Sequence, residues 1–85
     1  MSSSQITTRS NESFATRDFY LACFLRCSGY DLIALRDEGA RRVFVFADRP
    51  GRQADVLAYY GGGATVQPLP FAATIRTMKA LLHNA

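Results

Sequence analysis

Residues 19–27 constrain the fold of this chain more than any other segment, because on a helix they are apolar almost all the way round. At helical spacing they form two apolar stripes, one of Tyr20, Phe24 and Cys27 and the other of Leu21, Ala22 and Leu25. A helix on the surface of a small domain normally keeps one polar face. Both faces of this helix must therefore be covered, by the rest of the chain or by a partner.

Capping residues predict where this first helix begins and ends. Thr16 is a suitable N-cap, and Asp18 in the first turn faces the positive end of the helix dipole. Gly29 can adopt the left-handed conformation that ends a helix. The helix is therefore expected to lie between Thr16 and Gly29.

The length of the chain limits it to one domain. It has 85 residues, of which 48% are hydrophobic and 20% charged, with a net charge of +3. That balance excludes an acidic disordered tail, a collagen-like repeat and a polybasic arm. Residues 1–13 are poor in large aliphatic side chains and predict a disordered leader, followed by one domain over residues 14–85. A core this small rarely leaves more than about 3–5 kcal/mol of net stability, so self-association is expected.

The remaining pattern predicts an α+β fold. Residues 30–36 and 41–47 form an antiparallel β-hairpin around Gly39, with apolar side chains on both faces. Two further helices, at residues 52–60 and 70–83, are expected to pack on the sheet, with or without a third short strand at residues 64–67. Asp48 is the expected cap of the middle helix. The expected buried stripes are Gln53, Val56, Leu57 and Tyr60 in the middle helix, and Phe71, Ile75, Met78 and Leu82 in the last.

Catalysis has little support in the sequence. His83 is the single histidine, and no serine or cysteine has an identifiable base beside it, so we expect no enzyme activity, no catalytic residues and no cofactor. Cys23 and Cys27 lie four apart on one helix, which suits neither a disulfide nor a four-ligand metal site. The longest apolar run is too short to cross a membrane, and the expected location is the cytoplasm.

Arginine is the more informative residue, since nine of the ten basic residues are Arg. Five of them crowd the hairpin and its exit: Arg36, Arg41, Arg42, Arg49 and Arg52. Arginine suits bidentate phosphate contacts and stacking on bases. The start of the middle helix, with Arg49 and Arg52, is a candidate anion site. The alternative is that Asp37, Glu38 and Asp48 neutralise these arginines in exposed ion pairs, which are common and weak.

Several blocks of the chain resemble a known family. These are Phe14-x-Thr16-x-Asp18-Phe19-Tyr20-Leu21-Ala22, Gly29-Tyr30 and Arg42-Val43-Phe44-Val45-Phe46. They resemble a small bacterial and phage-associated domain of unknown function over about residues 14–83, which implies a stand-alone domain without an assigned activity. Phe44 and Phe46 also resemble the aromatic strand of sheets that bind single-stranded RNA, but the internal glycine of that motif is missing and core packing is favoured.

Two hypotheses of function follow. The first is a non-enzymatic accessory protein that binds the phosphates of DNA or RNA through Arg41, Arg42, Arg49 and Arg52. The second is a structural or adaptor domain that forms a homodimer, or binds a larger protein, through the apolar surface of Tyr20, Phe24 and Cys27. The two are compatible, because a dimer doubles the charge presented to a nucleic acid.

Overall fold

The fold is α+β, as the sequence predicts, but the chain begins with a strand. The computed structural model describes residues 12–84. The elements in chain order are β1 (Ser13–Thr16), α1 (Phe19–Cys27), β2 (Leu32–Glu38), β3 (Arg41–Ala47), α2 (Arg52–Gly61) and α3 (Pro68–Asn84). The predicted helix-first order is therefore wrong. The predicted leader lies outside the described residues, except for Glu12 and for Ser13, which opens β1.

The sheet has three antiparallel strands in the order β1-β3-β2, so the centre belongs to β3. The hairpin turns at Gly39, whose φ of +68° is the left-handed conformation expected there. The third strand is β1 and not residues 64–67, which are irregular. Strand β1 has only four residues, and Phe14 is their one large apolar side chain, so the sequence shows no alternation of apolar and polar residues there. The strand is ordered by its hydrogen bonds to the edge of β3.

Helix α1 lies in the core of the fold, which explains why it is apolar almost all round. All five residues from Leu21 to Leu25 are buried. On one side Phe19 packs against Phe44 of the sheet, and on another Phe24 packs against Tyr59 of α2. Helices α2 and α3 pack chiefly against α1, so the expectation that they pack on the sheet is corrected. The chain thus covers most of both apolar stripes itself.

Two helix starts differ from the predicted ones. Asp18, and not Thr16, caps α1, because its Oδ1 accepts hydrogen bonds from the amides of Tyr20 and Leu21, both at 3.1 Å. Thr16 instead accepts the amide of Asp18 on its hydroxyl at 3.1 Å. Gly51, and not Asp48, precedes α2, with a φ of +89° and no side-chain cap. After α1, a φ of +97° at Gly29 confirms the predicted left-handed ending.

Helix α3 buries the predicted face and α2 does not. In α3, Met78 is buried, and Phe71, Ile75 and Leu82 pack against the core. In α2 the inward residues are Val56 and Tyr59, whereas Leu57 and Tyr60 are 64% and 60% exposed and Gln53 is exposed as well. The stripe in α2 is rotated because Tyr59, and not Tyr60, fills the space against Phe24 of α1.

Candidate functional site

The four arginines predicted to bind nucleic acid occupy opposite ends of one strand. Arg41 and Arg42 open β3, whereas Arg49 and Arg52 follow its end. A strand of seven residues separates its two ends by roughly 20 Å. They therefore form two groups, which we name the hairpin end and the exit end of the sheet.

At the exit end, the side chain of Arg49 is held by three partners, Tyr30, Ser28 and Asp55. Its guanidinium lies 3.8 Å from the ring centroid of Tyr30, and its Nη2 donates to the carbonyl oxygen of Ser28 at 3.2 Å. The same nitrogen lies 4.0 Å from Oδ2 of Asp55, which also accepts the Tyr30 hydroxyl at 2.6 Å. Burial, and then this hydrogen bond, raise the pKa of Tyr30. Arg49 therefore joins the end of β3 to Tyr30 and to α2.

Arg52 is held in a similar way at the exit end. Its Nε and Nη2 donate to the two carboxylate oxygens of Asp48 at 3.2 and 3.5 Å, and its guanidinium lies 4.3 Å from the ring centroid of Phe14. The hydrogen bond from Arg52 lowers the pKa of Asp48. The carboxylate of Asp48 thus binds the guanidinium of Arg52, one of the two arginines of the anion site that the sequence predicts at the start of α2.

The hairpin end has more arginines than partners for them. Arg42 forms an ion pair with Asp37, and its Nη1 donates to the carbonyl oxygen of Leu82 at 3.4 Å. Two further arginines share Glu38, Arg36 at 3.2 Å and Arg17 at 3.8 Å, and both side chains are more than half exposed. Arg41 is exposed and forms no ion pair with any residue in the range 12–84. Among residues 12–84, Arg41 is therefore the arginine at this end that has no carboxylate partner.

Three of these arginines surround one depression, which we name the arginine groove. Its volume is about 290 Å³. Its lining consists of Arg17, Arg41, Arg42, Phe19, Phe44 and Leu82. The ends of β1 and α3 and the starts of α1 and β3 thus meet around one apolar depression with a cationic rim.

Arg17 is the member of this group that sequence reasoning missed. It follows β1, and without that strand nothing places residue 17 beside residues 41 and 42. The signal that could have found it is the apolar central strand, whose second edge needs a hydrogen-bonding partner. Arg17 also lines a second groove of about 410 Å³ on the outer face of the sheet, together with Arg36, Glu38, Ala15, Thr16 and Val43.

Most of the chain matches a known protein family. Residues 11–84 match the model of a family described as a domain of unknown function, DUF5659. The chain belongs to this family. The resemblance to a small domain of unknown function is thereby confirmed, and its bacterial and phage association stays a prediction. No curated protein and no solved structure matches the chain.

The predicted partner surface is only partly accessible. Phe24 is 7% exposed beneath Tyr59, and Cys27 is half-buried, whereas Tyr20 is 51% exposed. Tyr60 lies near the start of α1, where its hydroxyl donates to Oδ2 of Asp18 at 2.6 Å. That bond raises the pKa of Tyr60 to about 12 and lowers the pKa of Asp18.

The aromatic strand does not form an exposed stacking surface. Phe44 and Phe46 are 1% and 0% exposed, because they lie on the face of the sheet that carries α1. The preference for core packing is confirmed. Their strand neighbours Val43 and Val45 lie on the opposite face, flanked by Ala15 of β1 and Arg36 of β2.

Three further properties of the described residues bear on metal binding, thiol nucleophilicity and membrane insertion. Residues 12–84 contain no group of three or more side chains able to hold a metal ion. Both cysteines are free, and burial raises the pKa of Cys23 to about 11, which leaves it a poor nucleophile at neutral pH. No helix within this range has the length and apolar character needed to span a bilayer.

Proposed function

We propose that the chain is a non-enzymatic accessory protein that binds nucleic acid by contacting phosphates at the arginine groove. The observation that carries this proposal is the state of Arg41, which is exposed and lacks a carboxylate partner within residues 12–84. Arg17 and Arg42 flank it around the same groove. A phosphate can therefore bind there without first displacing a carboxylate from Arg41.

The charges at this end favour an extended anion over a single small one. Arg17 and Arg36 are both open to solvent and share the single carboxylate of Glu38. Each additional phosphate contact releases counterions from a nucleic acid, so several exposed arginines add affinity that falls steeply with salt. Arg49 and Arg52 are left out of the proposed site because their carboxylate and aromatic partners already hold them.

The test measures the affinity of the chain for labelled single- and double-stranded oligonucleotides, by fluorescence anisotropy over a series of salt concentrations. Arg41→Gln should weaken binding about fivefold, since a charge-assisted contact contributes about 1 kcal/mol or more. It should also reduce the slope of log affinity against log salt by about 0.7–0.9. Arg76→Gln is the matched control, because Arg76 is likewise exposed but lies on α3 outside the groove lining.

Two results would remove the proposal. One is the absence of binding to any oligonucleotide at low salt. The other is an equal loss of affinity in Arg41→Gln and Arg76→Gln, which would indicate general attraction to a basic chain rather than contacts at the groove.

A second candidate function is self-association through an exposed apolar patch of Tyr20, Leu57 and Tyr60. These side chains are 51%, 64% and 60% exposed, and Leu57 and Tyr60 lie one turn apart on α2. Tyrosine is enriched at protein interfaces, where it combines apolar area with a polar group. Sedimentation at micromolar concentration should then give a dimer that Leu57→Ser converts to a monomer, and a monomer of the native sequence would contradict this candidate.

A further inference from the structure

We infer that the arginine groove accepts an unpaired base, so that the nucleic acid bound is single-stranded. This inference deepens the proposed function and rests on it. In this arrangement one base lies against the apolar wall of the groove, while Arg17 and Arg41 contact the phosphates on either side of it.

The wall of the groove provides a surface on which a base can stack. Phe19 and Leu82 are half-buried there, over Phe44, which is only 1% exposed. Phe19 lies with its ring centroid 6.1 Å from Phe44 and 5.1 Å from Tyr20, the latter edge to face at 79°. Aromatic side chains therefore continue from the core through the groove wall to Tyr20 at the surface. A base in the groove can lie against Phe19, because every base has a π-face.

The size of the groove distinguishes single strands from duplexes. At about 290 Å³ it lies at the lower limit of small-molecule sites and admits one ring system. In a duplex the faces of the bases are stacked on each other, and a base must leave the stack before a protein can reach them. A duplex would therefore contact only the arginines, whereas a single strand can contact the arginines and the wall.

The arginines on the rim of the groove lie where they can contact the phosphates of a single nucleic-acid strand that crosses the sheet. Arg42 is fixed on two sides, by Asp37 and by the carbonyl oxygen of Leu82, so its position is set before a ligand arrives. Arg17 lines both the arginine groove and the neighbouring groove that contains Arg36. A strand with one base in the arginine groove can thus place its next phosphates along Arg17 and Arg36.

The experiment compares three ligands of the native chain at one low salt concentration: a single strand of thymidines, the same strand with abasic sites in place of the bases, and a duplex of equal length. The thymidine and abasic strands carry the same phosphates, so any difference between them reports contact with bases. Stacking of one base predicts that the thymidine strand binds about tenfold more tightly than the abasic strand. The duplex should bind more weakly than the thymidine strand.

Variants then assign the difference to the groove. Phe19→Leu keeps an apolar side chain but removes the aromatic face, so it should reduce affinity for thymidines towards that for abasic strands and leave abasic binding unchanged. Phe14→Leu is the matched control, because it makes the same substitution in a half-buried aromatic residue under Arg52 at the exit end. Leu82→Ala, at another half-buried position of the groove wall, gives a second variant if Phe19→Leu fails to fold, and it should weaken binding of the thymidine strand more than binding of the abasic strand.

The outcomes separate the two proposals. Equal affinity for thymidine and abasic strands, or tighter binding of the duplex, overturns the base-binding inference and leaves phosphate binding intact. A loss of the difference in Phe14→Leu as well as in Phe19→Leu also overturns it. Failure of all three ligands to bind overturns both proposals.

Discussion

The arginines at the two ends of the sheet have different partners. At the exit end, Arg52 donates to both oxygens of Asp48, and Arg49 lies over Tyr30 and beside Asp55. At the hairpin end, Arg42 pairs with Asp37, and Arg17 and Arg36 share Glu38. Arg41 has no ion pair with any of the described residues. The first set of contacts joins elements of the fold, whereas the second leaves Arg41 without a carboxylate partner among residues 12–84.

The comparison shows that a cluster of arginines in a sequence is not yet a site. Whether an arginine is available depends on how many carboxylates and aromatic rings the fold places within its reach. Exposed ion pairs are individually weak, but Arg49 and Arg52 each combine an ion pair with contact to an aromatic ring. We therefore expect substitutions at the exit end to destabilise the fold and substitution of Arg41 at the hairpin end to leave its stability almost unchanged.

The largest expected effect is at Tyr30, the centre of the exit-end contacts. Tyr30 is 1% exposed, and its replacement by Ala removes a buried ring next to Phe46 and leaves Arg49 and Asp55 without it. We expect Tyr30→Ala to cost about 3–5 kcal/mol, which is all that a core of this size usually leaves. Thermal and denaturant unfolding should therefore show a chain that is unfolded or nearly so at 25 °C.

The control at the same position keeps the ring and removes only the hydroxyl. Tyr30→Phe should cost about 1–2 kcal/mol, because the hydrogen bond to Asp55 is lost. A Tyr30→Ala variant as stable as the native chain would show that the exit end does not hold the fold together.

A smaller effect is expected from acid at Asp48. Because Arg52 lowers the pKa of this carboxyl in the folded chain, its ionised form stabilises the fold above the ordinary value of about 3.9. That contribution is lost as the pH falls through the lower folded value. Asp48→Asn should therefore reduce the free energy of unfolding at pH 7, and this cost should shrink as the pH is lowered below the ordinary value of the carboxyl, as measured by urea unfolding over a series of pH values.

The same pH comparison in Arg52→Gln provides the check. Without the guanidinium, the cause of the lowered pKa is gone, so Asp48→Asn should cost much less at pH 7 in this background. An undiminished cost would mean that Asp48 acts through something other than Arg52.

The smallest expected effect on stability is at Arg41. Its side chain is exposed and has no ion pair within residues 12–84, so Arg41→Gln should change the free energy of unfolding by no more than about 0.5 kcal/mol. Denaturant unfolding of the purified variant measures this directly. A loss of several kcal/mol would show that the hairpin end is as structural as the exit end.

The elements with strong apolar periodicity could be predicted from the sequence. The hairpin and α3 lie where alternation and helical spacing place them, and the apolar character of α1 indicates its central position. The strand β1 could not be predicted, because its order comes from the free edge of β3 and not from its own four residues. Because β1 was not predicted, nothing in the sequence placed Arg17 beside Arg41 and Arg42.

The candidate site was predictable in residue type but not in arrangement. Arg41 and Arg42 line the groove, whereas Arg49 and Arg52 lie beyond the far end of β3. Eight residues in the sequence separate Arg41 from Arg49, but the extended strand between them places its two ends roughly 20 Å apart. Only the pairing of strands shows which charges remain together.

The most direct test of the central claim, that free positive charge lies at the hairpin end, is an NMR titration of the labelled native chain with a short single-stranded oligonucleotide at low salt. We expect the signals of Arg17, Arg41 and Arg42 to move as the oligonucleotide is added, while those of Arg49 and Arg52 stay in place. Shifts concentrated at Arg49 and Arg52, or no shifts at all, would contradict it.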